Sequence, residues 1–134
     1  MNLPNAINLI FYYISQKLVL VYKIYHNPKC KKSREGLEYL KAKSIDFKVI
    51  NYLVEGLNAD EVKEILLKSN LKPLQIVRSQ DDYFKNYLKN KSFSDDEWVQ
   101  IIMENPKILQ RPIVVGAHKA VLAYPPQNID KLIK

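Results

Sequence analysis

The sequence contains one cysteine and two histidines in 134 residues, and this shortage limits its chemistry. A single cysteine cannot form an internal disulfide. One thiol and two imidazoles also cannot supply the four ligands of the usual Cys/His zinc site. We therefore predict no bound metal or cofactor. A scarcity of cysteine pairs is typical of a reducing compartment, so we expect a cytoplasmic location.

Long runs of basic residues are also missing. The net charge is +7, but the lysines and arginines are scattered and never occur five or six in a row. This pattern is typical of a solvated surface, so we predict no nucleic-acid partner.

The most apolar stretch is the first twenty residues, yet polar side chains interrupt it. A membrane-spanning helix needs about 20 predominantly apolar residues, and a secretory signal needs a basic start and a cleavage site. The stretch offers neither, so we predict no membrane partner. We interpret residues 1–20 as an extension and assign residues 21–134 to one domain, since the chain is too short to expect two.

From residue 21 onward, the predicted elements follow a regular order. β-branched and aromatic residues predict strands at 21–25, 47–52, 112–115 and 120–123. Apolar periodicity and two capping-box pairs predict helices at 30–43, 58–69, 73–77, 82–88, 94–104 and 128–133. The order predicts an α/β fold of the thioredoxin-like type: a mixed four-stranded sheet with flanking helices and a helical insert.

Cys30 lies in the first turn between strand and helix, at the predicted helix N-terminus. Lys29, Lys31, Lys32 and Arg34 surround it in sequence. Positive neighbours and a helix N-terminus both lower the pKa of a thiol. A lone cysteine is more often a small buried residue, but these lysines do not suit a core position. We predict that Cys30 is a reactive thiolate and the catalytic nucleophile.

Several groups near Cys30 are candidates for binding an anion or tuning the thiolate. Arg34 follows one helical turn later, and Ser33 adds a hydroxyl, so both are predicted to bind an oxyanion together with free backbone N–H groups. Lys29 and His26 are candidates for tuning the thiolate, although His26 could equally only end the strand. His118, in the predicted hairpin turn, is expected to be solvated.

The segment HNPKCKKSR at residues 26–34 resembles the His-x3-Cys-x3-Arg signature of the glutaredoxin-coupled arsenate reductase family. The resemblance extends from about Tyr22 to Leu132 and includes QRPIVV at residues 110–115. It implies that Cys30 attacks arsenate to form a covalent adduct. It also implies that glutathione, as co-substrate, reduces the arsenic and that glutaredoxin recycles the enzyme. An external thiol is required because the chain has no second cysteine.

The resemblance also implies an oxyanion site made of arginines. By position, two of them fall on Arg78 and Arg111, with Arg111 directly before a proline that such folds hold in the cis form. A third is replaced here by Tyr124, which offers one neutral hydroxyl where a guanidinium could bind an oxyanion through two hydrogen bonds. Without the resemblance, both arginines read as surface residues, one at the end of a short helix and one at a strand start.

Two other functions remain open. A glutathione-dependent thiol reductase of the same family could act on another substrate, which would account for Tyr124. A regulator of the Spx type, which binds RNA polymerase, is the second alternative. Many such regulators carry a Cys-x-x-Cys switch, whereas this chain has Ser33 three residues after Cys30, which favours an enzyme.

Overall fold

The computed structural model describes residues 21–133, which form a mixed sheet with helical elements on both faces. The strands are β1 (Tyr22–Tyr25), β2 (Phe47–Ile50), β3 (Ile113–Val115) and β4 (Ala120–Leu122). The sheet order is β2-β1-β3-β4; β1 is parallel to β2, and the other neighbouring pairs are antiparallel. The mixed four-stranded sheet predicted from the sequence is confirmed.

Helical segments fill most of the remaining chain. The α-helices are α1 (Lys31–Lys41), α2 (Tyr52–Glu55), α3 (Ala59–Ser69) and α4 (Asp95–Glu104). Short 3-10 helices lie at Pro73–Ile76, Pro106–Ile108 and Pro126–Leu132, and a π-helical turn lies at Phe84–Leu88. No helix among residues 21–133 is long and apolar enough to cross a membrane. The extension predicted at residues 1–20 lies outside the described residues.

Alternation along the strands divides the apolar side chains between two cores. Tyr25 and its register partner Ile113 belong to the core on the face covered by α3 and α4. Ile24 and its partner Val114 belong to the opposite core, which they share with Leu40 of α1 and with the last 3-10 helix. All five side chains are fully buried, so the sheet is covered on both faces.

The helical insert between β2 and β3 packs on the first of these faces instead of standing apart as a lobe. Both predicted capping boxes are confirmed. The Asn58 side chain accepts the Glu61 N–H at 2.8 Å, and the Ser94 hydroxyl accepts the Glu97 N–H at 3.1 Å. Each glutamate side chain accepts the backbone N–H of its cap residue in return, so the helix starts are fixed locally.

The strand predicted at 47–52 is too long. It ends at Ile50, and Tyr52 begins α2. The Glu55 carboxylate accepts the Asn51 N–H at 3.0 Å and closes one helical turn, which Gly56 ends with a φ of 80°. A side chain four residues away therefore overrides the strand preference of an aromatic residue. The helix predicted at 128–133 is a 3-10 helix that spans Pro126–Leu132, and not an α-helix.

Candidate active site

Cys30 is the N-cap residue of α1, as predicted, and a short loop after β1 places it there. Its backbone N–H donates to the Asn27 carbonyl at 3.0 Å, and its own carbonyl accepts the Arg34 N–H at 3.0 Å. The Asn27 side chain accepts the Lys29 N–H at 3.0 Å. The loop is thus a closed turn that presents the thiol over the free N–H groups of the helix start.

His26 and Ser33 hold this loop from beneath. Ser33 is fully buried; its hydroxyl accepts the Asn27 N–H at 2.9 Å and lies 2.7 Å from His26 Nδ1. Burial lowers the pKa of His26, and hydrogen bonding with the Ser33 backbone offsets this only in part. The Ser33 hydroxyl is thus hydrogen-bonded within the loop. Ser33 does not line the cavity beside the thiol, so its role in binding an oxyanion stays a prediction.

The pKa of the Cys30 thiol is set by opposing effects. Burial of the thiol raises its pKa. Hydrogen bonding from the Arg111 guanidinium and from the backbone N–H groups of Ser33 and Lys32 lowers the pKa, as does the positive charge of Arg111, and together these effects outweigh burial. The net shift is downward, toward a thiolate. The sequence also predicts a lowered thiol pKa. In the structure, however, the cation that contributes most is Arg111, and not a lysine or arginine adjacent to Cys30 in the sequence.

A cavity of about 240 Å³ opens beside the thiol. Within the described chain it is lined by Cys30, Lys31, Lys32, Arg78, Gln80, Gln110 and Arg111. Four of these side chains are cationic and none is acidic. The cavity therefore suits a small anion, and it brings together the nucleophile and the two arginines predicted from the resemblance.

Two distant segments place the arginines side by side. An isolated antiparallel bridge joins Val77 to Leu109. The Arg78 N–H donates to the Ile108 carbonyl at 2.7 Å, and the Gln110 N–H donates to the Ile76 carbonyl at 2.8 Å. This bridge and its two flanking hydrogen bonds lie just before β3, so they place Arg78 at the same end of the sheet as Arg111.

Asp81, which the sequence argument missed, holds Arg78 in place. Its buried carboxylate lies 3.5 Å from Arg78 Nη1 and accepts the Tyr83 N–H at 2.8 Å. An acidic residue three positions after the arginine was the available signal. Gln110 was missed as well; its side chain donates to the Val77 carbonyl at 3.1 Å and ties the Arg78 segment to the cavity wall.

Arg34 and Lys29 lie outside the cavity. Arg34 does fold back toward the loop, but its Nη1 donates to the Pro28 carbonyl at 3.0 Å, and the residue lines a different surface pocket. In this arrangement Arg34 braces the loop, and its binding of an anion stays a prediction. Lys29 is exposed and does not line the cavity, so its tuning role stays a prediction. His118 is exposed, as expected.

Tyr52 lies near Arg78 and Arg111, and its hydroxyl is unusual. The side chain is fully buried, and the hydroxyl donates to no acceptor among residues 21–133. Burial raises the pKa of the phenol, while the positive charges of Arg111 and Arg78 and hydrogen bonding from Arg111 oppose that rise. A buried donor is thus held close to both guanidinium groups, and the described part of the chain offers no acceptor for its proton.

The proline after Arg111 packs against the helix that carries Cys30. The Arg111–Pro112 peptide bond is cis, as the fold type led us to expect. A Cβ on Gly36 of α1 would lie 2.5 Å from Cγ of Pro112. The absence of a side chain at position 36 therefore allows β3 and α1 to approach closely at the site.

This chain is similar to a known protein family and to several known proteins. The ArsC family matches residues 25–132. An arsenate reductase from Neisseria meningitidis is 34% identical over 113 residues, which cover 83% of this chain and 97% of the relative. The regulatory protein MgsR from Bacillus subtilis is 32% identical over 111 residues, which cover 82% of this chain and 88% of the relative.

A solved structure supports the fold. The arsenate reductase from Vibrio cholerae matches with a TM-score of 0.80 and 33% identity, covering 85% of this chain and 98% of that one. The match confirms the thioredoxin-like architecture predicted from the order of elements.

Proposed function

The chain belongs to the ArsC family, and from this we propose that it is an arsenate reductase whose nucleophile is Cys30. One observation carries the proposal: a thiol of lowered pKa borders a small cavity lined by Arg78 and Arg111. Guanidinium groups bind tetrahedral oxyanions through paired hydrogen bonds. The arsenate reductases among its relatives agree with this reading.

The first step of the proposed reaction is displacement at arsenic. The two guanidinium groups hold the oxygens of arsenate, and the Cys30 thiolate attacks the arsenic atom. A sulfur–arsenic bond forms, and one oxygen leaves as water after protonation. Arsenic remains in the +5 state at this point, because no electrons have yet been transferred.

Reduction then needs two thiols from outside the chain. Cys30 is the only cysteine and is bound to arsenic, so it has no internal partner. The proposed donors are glutathione and glutaredoxin, which together give two electrons to arsenic and leave as one mixed disulfide. Water then releases arsenite and restores the Cys30 thiol. A cytoplasmic, reducing setting supplies such thiols.

Coupled turnover tests the proposal. The purified protein with arsenate, glutathione, glutaredoxin, glutathione reductase and NADPH is expected to oxidise NADPH in an arsenate-dependent way. Omitting either thiol should stop it, and Cys30→Ser should abolish it while leaving the thermal unfolding midpoint nearly unchanged. NADPH oxidation that does not depend on arsenate would reject arsenate as the substrate and favour a thiol reductase acting on another compound.

The similarity to MgsR supports a second candidate, a regulator that binds RNA polymerase. Such a protein would need no turnover, and its single cysteine would act only as an oxidation sensor. Direct binding to purified RNA polymerase, measured by gel filtration with Cys30→Ser as a comparison, distinguishes the two. Stable complex formation together with no arsenate turnover would favour the regulator.

A further inference from the structure

The mouth of the cavity contains a lysine that is held by an aromatic ring. Lys32, the second residue of α1, lines the cavity beside Cys30. Its Nζ lies 4.4 Å from the ring centroid of Tyr124. This distance is within the range of a cation–π interaction, in which the negative face of the ring attracts the ammonium group.

Tyr124 holds Lys32 without neutralising it. A carboxylate partner would cancel the charge of the lysine, whereas a ring face leaves its three N–H donors and its positive charge available. Tyr124 is 51% exposed and lies just after β4, so its ring reaches Lys32 from a segment distant in the sequence. Holding a long side chain in place in advance lowers the entropic cost of using it to bind a ligand.

The other cations of the cavity have different supports. Arg78 is held by Asp81, and Arg111 is directed at the thiol. The side chain of Arg78 is only 20% exposed and Arg111 is half-buried, whereas the other two cations, Lys31 and Lys32, are exposed. Lys32 is in addition held by the ring of Tyr124, so it is placed in advance to meet an oxygen of an anion bound between the guanidinium groups and the thiol.

We propose that Lys32, held by the face of Tyr124, is the third cation of the oxyanion site and sets its affinity for tetrahedral oxyanions. The inference rests on the proposed function because it concerns the same cavity. It gives Tyr124 a positioning role: the tyrosine acts through its ring, and its hydroxyl is not needed.

Binding can be measured without turnover, as protection of Cys30 against alkylation by iodoacetamide. Inorganic phosphate serves as the probe because it is tetrahedral and is not reduced by thiols. The ratio of alkylation rates with and without phosphate cancels any change in the intrinsic reactivity of the thiol. The variants are Lys32→Met, Tyr124→Phe, Tyr124→Leu and the double variant Lys32→Met/Tyr124→Leu. Lys48→Met, at an exposed position on β2, removes the same charge away from the cavity.

We expect Lys32→Met to weaken phosphate binding about three- to tenfold, as loss of one nearby charge at a partly solvated site should. Tyr124→Phe should bind as the unaltered protein does. Tyr124→Leu should weaken binding less than Lys32→Met, and should have no further effect once Lys32 is gone.

Three results would overturn the inference. Lys32→Met could behave like Lys48→Met, Tyr124→Leu could weaken binding equally with and without Lys32, or phosphate and arsenate could fail to protect the unaltered protein. Protection that follows the expected pattern, together with no arsenate turnover, would reject the proposed reaction and leave the anion site intact.

Discussion

At the scale of single residues, Arg111 is the group that most directly controls the nucleophile. Its guanidinium opposes the burial of Cys30 both as a hydrogen-bond donor and as a charge. Arg111→Gln should therefore raise the pKa of the thiol and move the rise in alkylation rate to higher pH, because only the thiolate reacts. The measurement is the rate of iodoacetamide labelling against pH. Arg78→Gln is the matched control, because Arg78 lines the same cavity but is not among the groups that hydrogen-bond to the thiol and lower its pKa. Coincident profiles for Arg111→Gln and the unaltered protein would contradict the assignment.

The buried hydroxyl of Tyr52 should cost stability and support binding. A hydroxyl buried without a partner loses its hydrogen bonds to water, so Tyr52→Phe should raise the free energy of unfolding by about 1 kcal/mol. An anion near Arg78 and Arg111 would give the hydroxyl an acceptor, so the same variant should weaken phosphate protection of Cys30. Urea unfolding and the protection assay measure the two effects, and Tyr87→Phe, at an exposed tyrosine, is the control.

A loss of stability in Tyr52→Phe would show that the hydroxyl has a structural partner. Unchanged protection by phosphate would show that it does not face the anion.

At this scale the sequence indicates features that depend on neighbouring residues, but it does not indicate the direction of a side chain. The position of Cys30 at a helix start follows from neighbouring residues. The directions taken by Arg34 and Ser33 depend on the fold of the loop, which offers the Pro28 carbonyl to one and His26 to the other. The role of Asp81 depends on where its partner arginine lies, which periodicity does not reveal.

At the scale of elements, capped helices were the most predictable and short helical turns the least. The helices α3 and α4 start where a polar cap and a glutamate three residues later satisfy each other. Such bonds lie within four residues, so the sequence contains them entirely. The π-helical turn Phe84–Leu88 and the 3-10 helix Pro126–Leu132 have too few residues for an apolar period to identify their type.

The contact between α1 and the start of β3 predicts a cost at Gly36. Alanine usually stabilises a helix interior by roughly 1 kcal/mol relative to glycine. Here its Cβ would lie 2.5 Å from the Pro112 ring, and overpacking costs about 1–3 kcal/mol. Gly36→Ala should therefore lower the free energy of unfolding by up to about 2 kcal/mol and also reduce the reactivity of Cys30, because Arg111 moves with Pro112.

Chemical denaturation and the alkylation rate measure both effects of Gly36→Ala. Glu35→Ala, at an exposed position on the same helix, should change neither. A more stable Gly36→Ala protein would mean that Pro112 yields without cost.

At the scale of the whole molecule, the sheet topology assembles the site from three distant segments. β1 and β3 are antiparallel, and Tyr25, the last residue of β1, pairs with Ile113, the first residue of β3. The loop that follows β1 and the residues that precede β3 therefore meet at one end of the sheet. Cys30 and Arg111 are 81 positions apart in the sequence and are neighbours for this reason. The predicted order of elements implied this arrangement. The bridge between Val77 and Leu109, which brings Arg78 to the site, could not be predicted, because a single bridge has no sequence pattern.

The presence of a single cysteine in the whole chain also determines which product the thiol forms on oxidation. The chain has one cysteine, and the structure holds it partly exposed at the cavity mouth. A thiol of lowered pKa attacks disulfides readily near neutral pH, and no second thiol is present to displace the adduct. Oxidised glutathione should therefore add one glutathione per chain, seen by intact mass spectrometry, and Cys30→Ser should add none. Glutaredoxin with glutathione should remove the adduct and restore alkylation. An adduct that forms but resists glutaredoxin would argue that the cavity mouth excludes this partner, and the recycling step proposed for arsenate reduction would then need a smaller thiol.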